Sequence, residues 1–290
     1  MLGTMQSAST TLEYCGTVAA GPSRPGLWHP ALSLCQRELI RFIRQKHRII
    51  GALATPIVFW LLIGGGMGRS FQSPGSSADA ATAGGYMAYF FPGTVVMILL
   101  FTAIFSTISI IEDRREGFLQ SVLVAPISPM VIVLGKVLGG TVLAFGQGLI
   151  FLALSPLIGF HYTILTLLAA MLMMFIMSFA LTALGFCIAW RMSSTQGFHA
   201  IMNLFLMPMW FLSGALFPAA GAWVGLKWAI FCNPLSYGLA GLRRAMQWGD
   251  PHSMALGGLP VNLAVSILFA GVMFLIASVM ATGRVSADLQ

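Results

Sequence analysis

Six long apolar stretches without Asp, Glu, Lys or Arg constrain this chain more than any other feature. A membrane-spanning helix requires roughly 17–25 such residues, and each stretch meets that requirement. Charged residues make up only 8% of the 290 residues, whereas about a quarter is usual in soluble domains. The sequence therefore predicts an all-α integral membrane protein with six transmembrane helices. The uncharged stretches are Ile49–Met67, Phe90–Ile111, Val137–Ile158, Thr163–Trp190, Phe198–Phe217 and Val261–Thr282, and the third helix is expected to begin near residue 131.

The positions of the basic residues predict the orientation, because loops on the cytoplasmic side of a membrane carry an excess of Lys and Arg. With the N-terminus in the cytoplasm, only Arg69, Lys227, Arg243 and Arg244 of the 15 basic residues fall on the outer side. Six spans then return the C-terminus to the cytoplasm. We interpret the net charge of +7 as a consequence of this topology and not as a sign of nucleic-acid binding.

Residues 30–48 are expected to form an amphipathic helix at the membrane interface, ahead of a transmembrane domain at 49–290. Basic residues recur every three or four positions and so share one helical face. Such a helix lies in the cytoplasmic interface with its arginines on anionic headgroups, and a plain topology signal is the alternative. These basic residues are Arg37, Arg41, Arg44 and Arg48. Residues 1–29 lack hydrophobic periodicity, and we expect them to form a disordered cytoplasmic tail.

A short charged segment, residues 112–126, separates the second and third predicted spans and has the composition of a docking helix. Glu112, Asp113 and Glu116 crowd its first turn, where the positive end of a helix dipole favours acids. Apolar residues at helical spacing and two stopping prolines follow. These are Phe118, Leu119, Val122, Leu123, Pro126 and Pro129. Such a helix suits insertion into a partner's groove, and an interfacial linker that touches only lipid headgroups is an equal alternative.

Residues 218–247 are apolar but interrupted, which is unusual for a segment next to a span. Pro218 and Pro234 break the stretch, and Trp223, Trp228 and Tyr237 are of the type that anchors at the membrane–water interface. The stretch is too interrupted to span the membrane and too apolar for a free loop. We therefore expect a re-entrant or interfacial helical hairpin at the outer face.

The motifs of catalysis and of nucleotide binding are missing from the sequence. It contains neither H-E-x-x-H nor G-x-S-x-G, and Gly135-Lys136 lacks the upstream glycine of a Walker A loop. All eight acidic residues lie outside the six predicted spans. This weakens the case for an ion-coupled carrier, because such carriers place acids or histidines within the membrane. We expect neither a catalytic site nor a bound metal, and the energy for transport would enter through residues 112–126.

Four short motifs stand in order along the chain. They are Tyr86-Met87-x-x-Phe90-x-Pro92-Gly93; Glu116-Gly117 with Leu123-Val124-Ala125-Pro126 and Gly135-Lys136; Phe211-Leu212-Ser213-Gly214-x-x-Phe217-Pro218; and Asn233-Pro234-Leu235-Ser236-Tyr237 with Arg243. Together they resemble the membrane subunit of ABC-2 type ATP-binding-cassette transporters, the bacterial exporter permeases for drugs, polysaccharides and nodulation factors. The resemblance covers residues 30–290, with Ser236 standing where threonine is common.

This resemblance implies a fold and a set of partners. The family works as a dimer of permeases with two ATPase subunits, which here would be separate chains that bind ATP and Mg²⁺. The second permease is expected to be a copy of this chain, and a heterodimer stays open. Residues 112–126 would be the coupling helix, in the cytoplasmic (inner) membrane of a bacterium. Its contacts with the ATPase would come from Glu112, Arg115, Glu116, Phe118, Leu119 and Leu123.

The same resemblance implies an export path lined or closed by the first, second and fifth spans of two protomers. Candidate path residues are Phe101, Phe105, Asn203, Met207, Met209, Trp210 and Phe211, and ordinary helix packing is the alternative for each. In the outer hairpin the motif residues are Pro218, Asn233, Pro234, Tyr237 and Arg243. The cargo stays open among a drug, a lipid-linked glycan and a peptide.

Two other classes of function remain alternatives. One is an ion-driven secondary carrier or channel that needs no ATPase, which transport driven by an ion gradient alone would identify. The other is a membrane-embedded enzyme that acts on lipid. The missing cluster of ionisable residues within the spans argues against this second class.

Overall fold

The chain is all-helical throughout the residues that the computed structural model describes, which are 28–66, 85–118, 128–216, 223–246 and 257–288. Nine α-helices lie in these ranges, and a 3-10 helix, Ser155–Ile158, follows the fourth. The α-helices are α1 Trp28–Arg44, α2 Lys46–Gly66, α3 Gly85–Arg115, α4 Pro129–Leu152, α5 Ile164–Arg191, α6 Thr195–Phe211, α7 Val224–Cys232, α8 Pro234–Met246 and α9 Leu259–Asp288. The predictions for the tail before Trp28, for residues 119–126 and for Pro218 lie outside the described ranges.

Five helices are long and apolar enough to cross a membrane, so the chain is a multi-pass membrane protein. They are α2, α3, α4 with its 3-10 extension, α5 and α9, and they overlap five of the six predicted spans. The fifth predicted span, 198–217, differs because α6 has only 17 residues. At 1.5 Å per residue this helix is about 26 Å long, which is shorter than the hydrocarbon core. A turn at Leu212–Gly214 ends it, and Gly214 adopts a φ of 81° that favours glycine.

The long helix α3 forms the centre of the structure. In the most apolar part of α3, 89% of the residues are buried, whereas 17% are buried in the corresponding parts of α2 and of α9. A helix that is hydrophobic on all sides is stable only when neighbours surround it or lipid covers it. In this fold α2, α4 and α5 pack against α3, whereas α2 and α9 expose apolar side chains at the periphery. A displacement of α3 would therefore also move the spans that pack against it.

Helix α1 packs closely against α4, and two glycines of α4 permit the approach. A Cβ atom on Gly135 would lie 2.7 Å from Leu34 Cβ and 2.9 Å from the Ala31 carbonyl oxygen, and one on Gly139 would lie 2.8 Å from Glu38 Cβ. This is the close packing that a small-x-x-x-small pattern favours. The predicted interface helix of residues 30–48 is thus α1, which ends at Arg44, while Arg48 belongs to α2.

The apolar segment after α6 contains two helices joined at Asn233. Helix α7 exposes large apolar side chains, including Trp223 at its start and Trp228. Helix α8 is largely buried and packs against α5 and α9. The segment contains two consecutive helices, and the re-entrant or interfacial hairpin expected from the sequence stays a prediction.

The α1–α4 contact predicts that alanine substitutions at two glycines of α4 have different effects on stability. Gly135→Ala should lower the thermal unfolding temperature of the detergent-solubilised protein, because overpacking costs about 1–3 kcal/mol. Gly146→Ala is the control, since nothing lies within 4 Å of the added Cβ. It should be neutral or stabilising by about 0.5–1 kcal/mol, because alanine is the better helix former. Equal unfolding temperatures for the two variants would contradict the α1–α4 contact.

Candidate functional site

Eight charged side chains meet where α1, α3, α4 and the start of α2 come together. We call this group the charge cluster. Four are cations and four are anions, so the formal charge of the cluster is zero. Its members are Arg37, Glu38, Arg41, Arg48, Glu112, Asp113, Glu116 and Lys136.

Asp113 is the centre of the charge cluster and its side chain is 0% exposed. The Arg37 guanidinium donates to both of its carboxylate oxygens at 2.9 and 3.1 Å, and Arg41 Nη1 donates at 2.5 Å. Lys136 Nζ donates to the same carboxylate and, at 2.5 Å, to the buried Glu38. A carboxylate away from water is tolerated only with such partners. The hydrogen bond to Asp113 also raises the pKa of Arg37 above its ordinary value, so this arginine stays charged.

The acids lie at the end of α3 and not at the start of a following helix as expected from the sequence. Helix α3 continues through Arg115, so Glu112 and Asp113 fall in its last turn, where a helix dipole disfavours negative charge. Arginines of α1 and α2 offset this cost, since Arg41 and Arg48 both donate to Glu112. These arginines therefore contact carboxylates, whereas Arg44 is exposed and its contact with lipid headgroups stays a prediction.

Two further arginines at the end of α3 bind the end of α5. Arg114 donates to the carbonyl oxygens of Trp190 at 2.6 Å and Met192 at 3.1 Å. Arg115 Nε donates to Ser193 O at 3.0 Å. Cations near the last carbonyls of a helix are favourable because those carbonyls lack helical partners. Arg115, predicted to contact an ATPase, is thus also a link from α3 to α5.

The chain beyond α3 is attached to α1 as far as the structure describes it. Gly117, with a φ of 75°, turns the chain. The centre of the Phe118 ring then lies 3.7 Å from the Arg37 guanidinium carbon. Glu116 accepts from Arg41 at 3.2 Å, but its side chain is 60% exposed. Leu119 and Leu123 lie outside the described residues. Helix α1 and the start of the predicted coupling segment therefore form one surface.

A second polar group lies at the opposite end of α3. Side chains from α3 and α8 donate to backbone carbonyl oxygens in and just after the last turn of α6, and we call this group the carbonyl clamp. Tyr86 Oη donates to Leu216 O at 2.8 Å, Tyr89 Oη to Gly214 O at 3.2 Å, and Asn233 Nδ2 to Met209 O at 2.6 Å. The donors are Tyr86, Tyr89, Asn233, Ser236 and Arg243.

The closeness of α3 to the chain after α6 explains why the motif that begins at Tyr86 contains Gly93. A Cβ atom on Gly93 would lie 2.9 Å from Ala215 Cβ, so only glycine fits without a shift. Trp210 Nε1 donates to Gly93 O at 2.9 Å from the other side of the contact. The motifs that begin at Tyr86, Phe211 and Asn233 in the sequence thus meet at one place.

The candidate path residues lie along the contact of α3 with α6 but differ in exposure. Trp210 is fully buried and contacts Phe90 in the core, so it serves packing within this chain. Phe101 and Phe105 are half-buried and their ring centroids are 6.0 Å apart. Asn203 is exposed, Met207 and Met209 are half-buried, and Phe211 is 38% exposed. Apart from Trp210, these side chains are placed where a second molecule or cargo could reach them.

Sequence reasoning missed the role of Glu38 and underestimated Lys136. Glu38 lies on the buried face of α1, together with Leu34 and Phe42. A single acid on an apolar helix face is a detectable sign of a buried partner. Lys136 stands just before the third uncharged stretch, and this position is the matching sign in the sequence. The structure places Lys136 on the buried face of α4.

Comparison with known proteins identifies relatives. The family model described as ABC-2 type transporter matches residues 31–247, which is most of the chain. A relative from Cyanophora paradoxa, described as "Putative transport permease ycf38", is 24% identical over 215 residues. That match covers 72% of this chain and 71% of the relative. The matched range includes both the charge cluster and the carbonyl clamp.

The charge cluster predicts a large loss of stability when one buried partner is removed. Lys136→Met should destabilise the protein by about 3–5 kcal/mol, because it removes the buried cation that contacts both Glu38 and Asp113 and leaves Glu38 only the longer contact with Arg37 at 3.3 Å. Adding Glu38→Met should restore part of the loss, since one of these carboxylates is then gone. Arg44→Met, which changes an exposed arginine of α1, is the control. Thermal unfolding of the three variants in detergent measures the effect, and equal stability of Lys136→Met and Arg44→Met would refute it.

Proposed function

The chain belongs to the ABC-2 type transporter family, and we propose that it is the permease subunit of an ATP-driven exporter whose ATPase is a separate chain. The membrane subunit itself would carry no catalytic site, and ATP and Mg²⁺ would bind to the partner. Two copies of the permease would enclose the path for cargo. We place the complex in the cytoplasmic membrane of a bacterium, with both termini of this chain in the cytoplasm.

The observation that carries the proposal is the attachment of α1 and the segment after α3 to the buried helix α3. A partner that pulls on Glu116 or Phe118 also pulls on Arg41 and Arg37, and through them on Asp113. Since Asp113 is part of α3, the pull reaches the centre of the transmembrane domain directly. ATP binding can use such a link when it favours one arrangement of the two ATPase subunits over another.

The charge cluster also bears on the ion-driven alternative. Asp113 and Glu38 are buried, as the acids of ion-coupled carriers are. Three cations already contact Asp113, and Lys136 contacts Glu38. A carboxylate that is paired in this way is a poor site for a transported proton or cation, which favours energy from a partner ATPase.

The remaining parts of the architecture are proposed from exposure and length. We propose that α6 and the turn after it together form the fifth of six spans, since Gly214, Ala215 and Leu216 extend the apolar chain beyond Phe211. A second copy would cover the exposed face of α6 and place Phe101, Phe105 and Asn203 beside the path. Apolar and aromatic walls of this kind suit amphipathic cargo.

The orientation predicts which thiols an impermeant reagent can reach in intact cells. Cys232, exposed at the end of α7, should react from outside. Cys35 is a poor reporter for the inner side, because it is buried and burial raises the pKa of its thiol. Gln36→Cys, at an exposed position of α1, replaces it in a Cys232→Ser background and should react only after permeabilisation. The reverse pattern would overturn the proposed orientation.

The proposed partner predicts that a P-loop ATPase purifies with the tagged permease in mild detergent, in equal amounts by mass spectrometry. Glu116→Lys should release it, because this exposed acid lies on the proposed docking surface. Because the Glu116 side chain is 60% exposed, its ion pair with Arg41 contributes little to folding. Lys227→Glu, a charge reversal of equal size and opposite sign on α7 at the other end, is the control and should retain the ATPase. A pure permease that transports with an ion gradient alone would reject the proposal.

A further inference from the structure

We propose that Arg243 is the latch that holds the end of α6 against α3 and closes the outer end of the transport path. The inference rests on the proposed function for what the latch closes, but its geometry is independent of any partner. It assigns Arg243 a positioning role, since it acts on the α6 backbone and not on cargo. The parts of the device are a latch, a held segment and a hinge.

The latch is the guanidinium of Arg243, which sits among backbone carbonyl oxygens. Its Nη2 donates to Gly214 O at 3.0 Å, to Ala215 O at 3.4 Å and to Tyr89 O at 3.5 Å. The guanidinium carbon lies 4.2 Å from the centre of the Tyr89 ring, a cation–π distance. Among the described residues no carboxylate pairs with Arg243, and its Nε is buried without a partner.

The held segment is the non-helical stretch shortly after α6, Gly214–Leu216. Carbonyls just after a helix have no partner within the helix and must be satisfied by other donors. Here Arg243 and the hydroxyls of Tyr86 and Tyr89 supply them. Water could supply the same hydrogen bonds if the segment moved outward, because its carbonyl oxygens are neutral acceptors. The closed contact is therefore reversible in a way that the buried ion pairs of the charge cluster are not.

The hinge is Pro208, inside α6. Proline has no N–H, so the carbonyl of Leu204 loses its helical hydrogen bond and the helix can bend there. Helix α6 has α3 as its main neighbour in the described chain. When the latch opens, the part of α6 beyond Pro208 can leave α3 once the hydrogen bonds from Trp210 to Gly93 O and from Asn233 to Met209 O also break. That movement would open the α3–α6 contact on which the candidate path residues lie.

Hydrogen–deuterium exchange of the purified permease tests the latch without ATPase or cargo. Arg243→Ala should raise exchange about tenfold or more in peptides from residues 209–216, because charge-assisted hydrogen bonds are lost. Exchange in α4 and α5 should stay unchanged. Tyr89→Phe, which keeps the ring and removes one donor to Gly214 O, should give a smaller rise at the same place. It also serves as the second variant if Arg243→Ala folds poorly.

Added guanidinium ion gives the sharper result, because the carbonyl oxygens and the Tyr89 ring form a site for that cation. Millimolar guanidinium chloride, far below denaturing concentrations, should slow exchange at 209–216 in Arg243→Ala towards the wild-type rate. The same concentration of sodium chloride should not. Arg244→Ala is the control, since Arg244 donates to Gly257 O at 2.7 Å, away from α6. It should show neither the local rise nor the rescue.

Two outcomes would overturn the latch. One is unchanged exchange at 209–216 in Arg243→Ala, and the other is a rise of equal size in α4 and α5, which would mean general destabilisation. Either would leave the ATPase partnership standing. Conversely, a permease that purifies without an ATPase but shows the local, guanidinium-reversible rise would retain the latch and lose the proposed function.

Discussion

A carboxylate buried at the wrong end of a helix dictates much of this structure. Asp113 lies in the last turn of α3, where the helix dipole opposes it and water does not reach it. Three cations from α1 and α4 must therefore converge on it. That requirement brings α1 onto α4, and the approach is possible only because Gly135 and Gly139 have no side chain. The position of the amphipathic helix thus follows from the electrostatics of one residue.

Helix ends near both ends of α3 need hydrogen-bond donors, and arginines supply them: Arg243 at the end opposite Asp113, and Arg114 and Arg115 at the same end as Asp113. Helix ends within a membrane protein leave carbonyl oxygens without partners, and each is costly in an apolar environment. Arg243 satisfies those of α6, and Arg114 and Arg115 satisfy those of α5. Arginine suits this task because its planar guanidinium offers several N–H donors at once. Its charge and forked shape are used here to join helices to one another.

The sequence predicted those features that depend on composition along the chain and missed those that depend on pairing across it. Five helices long and apolar enough to span the membrane, and the break between α7 and α8 at Pro234, followed from long apolar runs and prolines. The extension of α3 through Arg115 did not, because Glu112 normally ends an apolar run and its arginine partners are over 60 positions away. The short α6 depends on Gly214, whose conformation only the fold reveals. Motif residues were recognised as a set, but their convergence at the carbonyl clamp needed three dimensions.

The two ends of α3 differ in how easily they come apart, and this difference decides where movement occurs. Removing one partner of a buried ion pair costs about 3–5 kcal/mol, whereas a hydrogen bond contributes about 0.5–1.5 kcal/mol between neutral groups and about 1.5–3 kcal/mol where the donor is charged, as at Arg243. A force applied near Glu116 would therefore move α1, α4 and α3 together. With 31 residues, α3 reaches about 46 Å and carries that displacement to the carbonyl clamp. The clamp is the weaker contact, which is why we propose that the structure opens between α3 and α6.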